Sequence, residues 1–246
     1  MRKLVLVMVL AAASLGAGAE PRYAVLSLLS DRLAIITHET TTGSHIDRNR
    51  RESMPIPGNL LDKNMVLDLD DALRAAGVKS GAVLLFTSDA AIFSRQAQLL
   101  DDANGTAQLL EAVRPVLKGV DATHLVLATK YRHDARLKVA DGYVGSGSLD
   151  GLGFYIDRTY EPLRTGTIGA TPGFLAAFTY YKLALIDLST GHVVREVPVF
   201  ASESRLGTEG ESGDPWDSMS VEDKAAILAR LLRAETPQAV ARLLGS

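Results

Sequence analysis

The sequence contains no cysteine. That excludes disulfides, thiol catalysis, thiolate zinc sites and the acylated cysteine that anchors bacterial lipoproteins. It also lacks a strong charge of either sign: the net charge is −3 over 246 residues. Broad nucleic-acid binding, which neutralises phosphates with a basic surface, is therefore not expected. Hydrophobic residues at 47% and charged residues at 22% are ordinary for a globular chain, so wholesale disorder is excluded. After the first nineteen residues no apolar run is long enough to span a bilayer.

Those first nineteen residues have the form of an export signal. Arg2 and Lys3 provide a positive start, Leu4 to Leu15 is almost unbroken apolar sequence, and Ala17-Gly18-Ala19 supplies small residues for a signal peptidase. A helix over the apolar run measures roughly 18 Å against a bilayer core of about 30 Å. Cleavage is expected after Ala19, with residues 20–246 forming a single domain in the periplasm or outside the cell. Without cysteine, its core must hold in an oxidising place with no disulfide staples.

The remaining pattern predicts an α/β fold, with α+β as the variant: a single mixed sheet with helices packed on it. Two β-rich runs flank Ser30-Asp31 and suggest a tight hairpin. Residues 39–64, 158–177 and 201–218 read as loops. Helical spacing starts near Leu67 and stops at Gly77. Ala82 to Phe86 and His124 to Thr129 read as buried strands, with helices between them broken at Asn104-Gly105-Thr106. A β-hairpin is expected near 178–200, followed by two short C-terminal helices, one capped by Ser220 and one begun by Thr236-Pro237.

Chemical motifs are sparse. The glycine-rich stretch Gly142 to Gly153 runs into Phe154-Tyr155-Ile156, which is β-like; a phosphate cradle needs a helix there, so turns and bulges are the reading. Asp68, Asp70 and Asp71 fit the first turn of a helix, where carboxylates complement the dipole, better than a hard-cation site. His38, His45, His124, His133 and His192 show no zinc spacing. No G-x-S-x-G or S-x-x-K occurs, so no catalytic residue, metal site or cofactor is assigned. Arg48, Arg50 and Arg51 concentrate positive charge in the 39–64 segment and are the candidate partner-binding residues.

The hairpin region includes Leu185-Ile186-Asp187-Leu188-Ser189-Thr190-Gly191-His192-Val193. Its apolar–Asp–x–x–Thr–Gly–x–Val pattern resembles strands of the CsgG-like and LpoB-like periplasmic proteins. The chain as a whole is similar to exported proteobacterial proteins of uncharacterised activity. The resemblance implies a small α/β envelope domain, here without the lipid-anchor cysteine, and transfers no functional residue. The expected function is that of a periplasmic, non-enzymatic envelope protein binding a protein or cell-wall partner, with edge-strand addition as a mode. The alternative is a periplasmic hydrolase whose Ser, His and Asp come from distant loops. A third is a small-ligand carrier using the 142–175 loops.

Overall fold

Along the chain run β1 (Tyr23–Ser27), β2 (Arg32–Thr37), β3 (Arg50–Pro55), α1 (Leu60–Ala75), β4 (Val83–Leu85), α2 (Ala90–Gln98), α3 (Gly105–Val113), β5 (His124–Lys130), β6 (Arg132–Asp134), β7 (Leu137–Val139), β8 (Gly142–Val144), β9 (Ser148–Asp157), β10 (Phe174–Asp187), β11 (His192–Leu206) and α4 (Val221–Leu244). The computed structural model describes residues 20–39, 47, 49–56, 59–139, 142–159, 173–206 and 214–245; the expected leader, Arg48 and His45 lie outside them. The mixed nine-stranded sheet and its packed helices agree with the α/β expectation.

The hairpin β10–β11 organises this sheet. One side of β10 pairs with β11 along its length. The other side is divided: Phe174–Tyr180 pairs with β9, and Tyr181–Asp187 pairs with β5. Two wings therefore share one hairpin. The first continues from β9 to β2 and β3; the second continues from β5 to β1 and β4 in parallel. All five residues of β1 are buried, as an apolar strand between two parallel neighbours should be.

Helices cover both faces of the second wing. Leu61, Met65, Leu69 and Leu73 of α1 join Leu228, Leu232 and Val240 of α4 in one core cluster. Ile92 and Phe93 of α2 and Leu109, Leu110 and Val113 of α3 pack on the opposite face, against Leu26, Leu125 and Leu127. Beneath the small β7–β8 ribbon lies a third cluster, with Ile36, Leu137, Tyr155, Phe174 and Phe178. In the first wing β2 and β9 pair closely at Ala34 and Gly153. A Cβ on Gly153 would stand 2.1 Å from the Ala34 carbonyl oxygen, so only glycine fits.

Several expectations change. No hairpin forms at Ser30-Asp31: β1 and β2 enter different wings. The buried Asp62 carboxylate causes the departure by binding the Leu29 and Ser30 amides and the Ser27 and Ser30 hydroxyls. The supposed loop 39–64 contains β3, whose six residues are all exposed, and the start of α1. α1 thus begins seven residues before Leu67, since buried Asp62 disguised its apolar stripe. β4 is an edge strand and only Leu85 in it is buried, contrary to a strand covered on both faces. Gly105 starts α3 instead of ending a helix, and Thr106 bonds to Glu196.

β10 begins at Phe174 and β11 runs to Leu206, taking residues from both of the later expected loops. The chain closes in one 24-residue helix, not two, with Pro237 inside it. Ile227, Leu228, Leu231, Ala239, Val240 and Leu243 keep one buried stripe across the proline, and that packing outweighs its missing N–H. Thr236 lies within the helix and donates to the Leu232 carbonyl at 2.8 Å. Ser220 is an N-cap, accepting the Asp223 N–H at 3.0 Å.

Candidate functional site

β3 places Arg50 and Arg51 on the outer strand of the first wing, with side chains alternating between faces. They do different things. Arg50 projects into solvent and pairs with Glu52 two residues on. Arg51 is a clamp: its guanidinium donates to Asp47 Oδ2 at 2.6 Å and to the Ser148 carbonyl at 2.5 Å. Asp47 Oδ2 also accepts the Ser148 N–H at 3.1 Å. Burial works against the Asp47 charge, but the Ser148 amide, Arg51 and the Asn49 amide together hold its carboxyl below the ordinary value. A Cβ on Gly147 would lie 2.4 Å from the Asp47 carboxyl carbon, so this glycine, at φ +74°, admits the carboxylate.

Beside the clamp, residues from three chain segments meet. His38 Nδ1 lies 3.0 Å from Ser146 Oγ and 3.2 Å from Asn49 Oδ1. Asn49 Nδ2 donates to the Ser146 carbonyl at 2.7 Å, which turns Oδ1 toward the imidazole. Nδ1 must then carry the proton it gives Asn49. Tyr155 OH accepts the Ser146 N–H at 3.1 Å and stands 3.3 Å from Ser146 Oγ. Burial raises the Tyr155 pKa, keeping the phenol protonated. A serine nucleophile needs a lone pair on the facing imidazole nitrogen. His38 presents an N–H instead, so in this arrangement Ser146 is oriented but not activated.

A second serine, histidine and aspartate meet at the start of β5. A cleft of about 600 Å³ is lined by Pro21, Thr123, His124, Asp187 and Ser189, among others. His124 and Asp187 are direct cross-strand neighbours. Thr123 Oγ donates to the Arg22 carbonyl at 3.1 Å, so its 2.8 Å bond with His124 runs from Nδ1–H and leaves the lone pair on Nε2. Ser189 Oγ, however, donates to Asp187 Oδ1 at 2.6 Å. That bond, with backbone amides of the same turn, holds the Asp187 carboxyl below its ordinary value. The serine proton is thus directed to the carboxylate and not to the imidazole.

The other sequence candidates disperse. Asp68, Asp70 and Asp71 lie well inside α1 and not in its first turn, because the helix starts at Leu60. Asp68 pairs with Arg233 of α4 at 3.1 Å, and Asp70 binds Arg74 at 2.9 Å and the Ala82 N–H at 2.7 Å. His133 packs on Phe200 with ring centres 4.7 Å apart, and His192 opens β11. The glycine-rich stretch feeds β8 and β9 and no helix. Sequence reading did not single out Asn49 or Ser146; the bond partners His38 and Ser146 are 108 residues apart, and no local spacing signals that meeting. Among the described residues no three metal-ligating side chains gather, and no helix is long and apolar enough to cross a membrane.

No protein-family model and no curated protein matches the chain. Among solved structures it is similar to the PelC dodecamer from Paraburkholderia phytofirmans, at 12% identity over 92% of this chain and 90% of that one, TM-score 0.30. It is similar to protein XCC0632 of Xanthomonas campestris, of the DUF330 family, at 13% identity over 92% and 88%, TM-score 0.34. Protein CT253 of Chlamydia trachomatis matches at 10% identity over 91% and 96%, TM-score 0.35. None of these three is named as CsgG-like or LpoB-like, and such low scores supply no chemistry for the site.

Proposed function

We propose that this chain is an exported, non-enzymatic protein of the bacterial envelope that binds a protein partner through the outer edge of β3. The observation behind this reading is that β3 ends the first wing, pairs with β2 and with no other strand among the described residues, and exposes all six of its residues. An edge strand offers unpaired amides and carbonyls to an extended segment, and flanking side chains select it. Arg50 and Glu52 flank that edge on one face, while the Arg51–Asp47 clamp steadies its start. The proton positions at His38 and Ser189 also favour binding over serine chemistry: Ser146 faces an imidazole N–H, and the Ser189 proton goes to the Asp187 carboxylate and not to an imidazole.

The test is a photo-crosslinking residue at Ser53, compared with one at Val221, an exposed position on α4. In intact cells a discrete adduct from Ser53 and none from Val221 is expected. Equal labelling from both positions, or none, overturns the reading. N-terminal sequencing of the exported chain should begin at Glu20.

The hydrolase reading keeps one supporting observation, the Nε2 lone pair of His124 in its cleft. Turnover of simple ester substrates that disappears in His124→Ala would establish it, and absence of turnover in the native chain removes it.

A further inference from the structure

Four strands leave a side of the nine-stranded sheet unpaired among the described residues: β3, β4, β6 and β11. Exposed edges are guarded in stable monomers by charge, proline or bulges. β3 carries Arg50, Arg51, Glu52 and Pro55; β6 carries Arg132 and Asp134; β11 carries Arg195, Glu196 and Pro198. β4 has no such guard. From Ala82 to Phe86 it reads Ala-Val-Leu-Leu-Phe. Val83 is 38% exposed and Phe86 51%, and the neighbouring helix adds Leu60 at 54% and Leu67 at 51%.

The placement of α1 beside β4 follows from two bonds. Asn59 Nδ2 donates to the Thr87 carbonyl at 2.9 Å, and the Ala82 N–H donates to Asp70 Oδ1 at 2.7 Å. The helix therefore runs antiparallel to the strand. Its rise from Lys63 to Asp70 is about 10 Å, which a strand covers in about three residues. Asp70 stands level with Ala82, and Lys63 stands level with Leu85. Lys63 is exposed and joins no ion pair among the described residues.

We propose that β4 pairs antiparallel with β4 of a second copy of this chain, joining two sheets across a two-fold axis at Leu84. An axis normal to the sheet must set side chains of the same face opposite one another, so it passes through a residue. At Leu84 it sets Leu84 against itself, Val83 against Leu85 and Ala82 against Phe86, apolar against apolar throughout. The same operation maps the level of Leu85 onto that of Val83. It brings Lys63 within one residue's rise of Asp70 of the partner subunit, twice, where it would join the ion pair that Asp70 makes with Arg74 on its own helix. On β3 an axis at Arg51 or Glu52 sets like charges opposite, which costs stability. The apolar edge and the charges beside it thus complement a second copy of themselves.

The absence of cysteine makes the test direct. Leu84→Cys puts one thiol per chain on the axis, and mild oxidation should give a disulfide-linked dimer in high yield; Ser53→Cys on β3 should not. Sedimentation of the purified native chain at micromolar concentration should show a dimer. Val83→Lys should make it monomeric with an unchanged far-ultraviolet spectrum, and Lys63→Glu should weaken the dimer at least tenfold. A native monomer at 50 μM overturns the proposal, as does a dimer that survives Val83→Lys or one that crosslinks better through Ser53→Cys. If Val83→Lys does not fold, the Lys63→Glu shift and the Leu84→Cys crosslink decide. The β3 reading is untouched by either result, because the two edges end different wings.

Discussion

Asp62 and Ser30 hold each other in both directions: the Ser30 hydroxyl donates to Asp62 Oδ2 at 2.6 Å and accepts the Asp62 N–H at 3.0 Å. The pair joins the end of β1 to the first turn of α1 and does for a long-range contact what a capping box does locally. Asp62→Ala strands the Leu29 and Ser30 amides in a buried place, and its expected cost is about 3 kcal/mol or more. Ser30→Ala should cost about 1–2 kcal/mol. In a double-mutant cycle by urea unfolding the two losses should not add.

Acid titration should separate two carboxylates of opposite habit. Burial raises the Asp62 pKa, only partly offset by the Ser27 and Ser30 hydroxyls and the nearby amides. Just above the ordinary value of 3.8, native Asp62 keeps a proton that the unfolded chain has released. Stability therefore falls as pH rises through that window, and Asp62→Asn should lack the slope. Asp47 is the reverse: its carboxyl is held low, so its contribution is present above 3.8 and disappears as pH falls through the lowered value. Asp47→Asn should flatten that acid limb in pH-dependent unfolding.

The two described arginines of β3 should part company under mutation. Arg51→Ala removes the guanidinium bonds to Asp47 and to the Ser148 carbonyl, while the Ser148 amide still holds the Asp47 carboxylate, and should lower stability by about 1 kcal/mol. Arg50→Ala removes a solvent-exposed pair and should leave the thermal midpoint within error, while reducing adduct formation from Ser53. Equal thermal losses in both variants would contradict the division of roles.

Gly153→Ala should be among the most damaging single-methyl additions. The new carbon meets the Ala34 carbonyl at 2.1 Å and Phe178 Cζ at 2.8 Å, so β2 must leave β9 or the sheet must spread. A loss of about 3 kcal/mol or more is expected. Hydrogen exchange should show the first wing opening while amides of β1 and β5 stay protected.

Sequence patterning revealed elements whose apolar residues follow a simple period. The continuous run of β5 and the apolar hairpin strand β10 were visible at short range. It failed where a distant partner decides the outcome. Ser30-Asp31 looks like a turn between paired strands because nothing nearby discloses Asp62, 32 residues on. Thr236-Pro237 looks like a new helix because the stripe that bridges it is satisfied by α1 and the sheet. The site suffered in the same way: His38 was visible singly and Ser146 was not, and their meeting depends on β2 lying beside β9. Arg51 was selected for its charge, whereas its geometry makes it a clamp.

The divided side of β10 has a consequence for the order of folding. β5 and β9 each wait for the same strand, and that strand is stabilised along its whole length by β11, which ends at Leu206. The two wings cannot join into one sheet until β10 has been synthesised, although the pairings within each wing do not involve it. A late keystone of this kind leaves completion of the sheet until β10 and β11 have both been made, which favours slow assembly through non-local pairing.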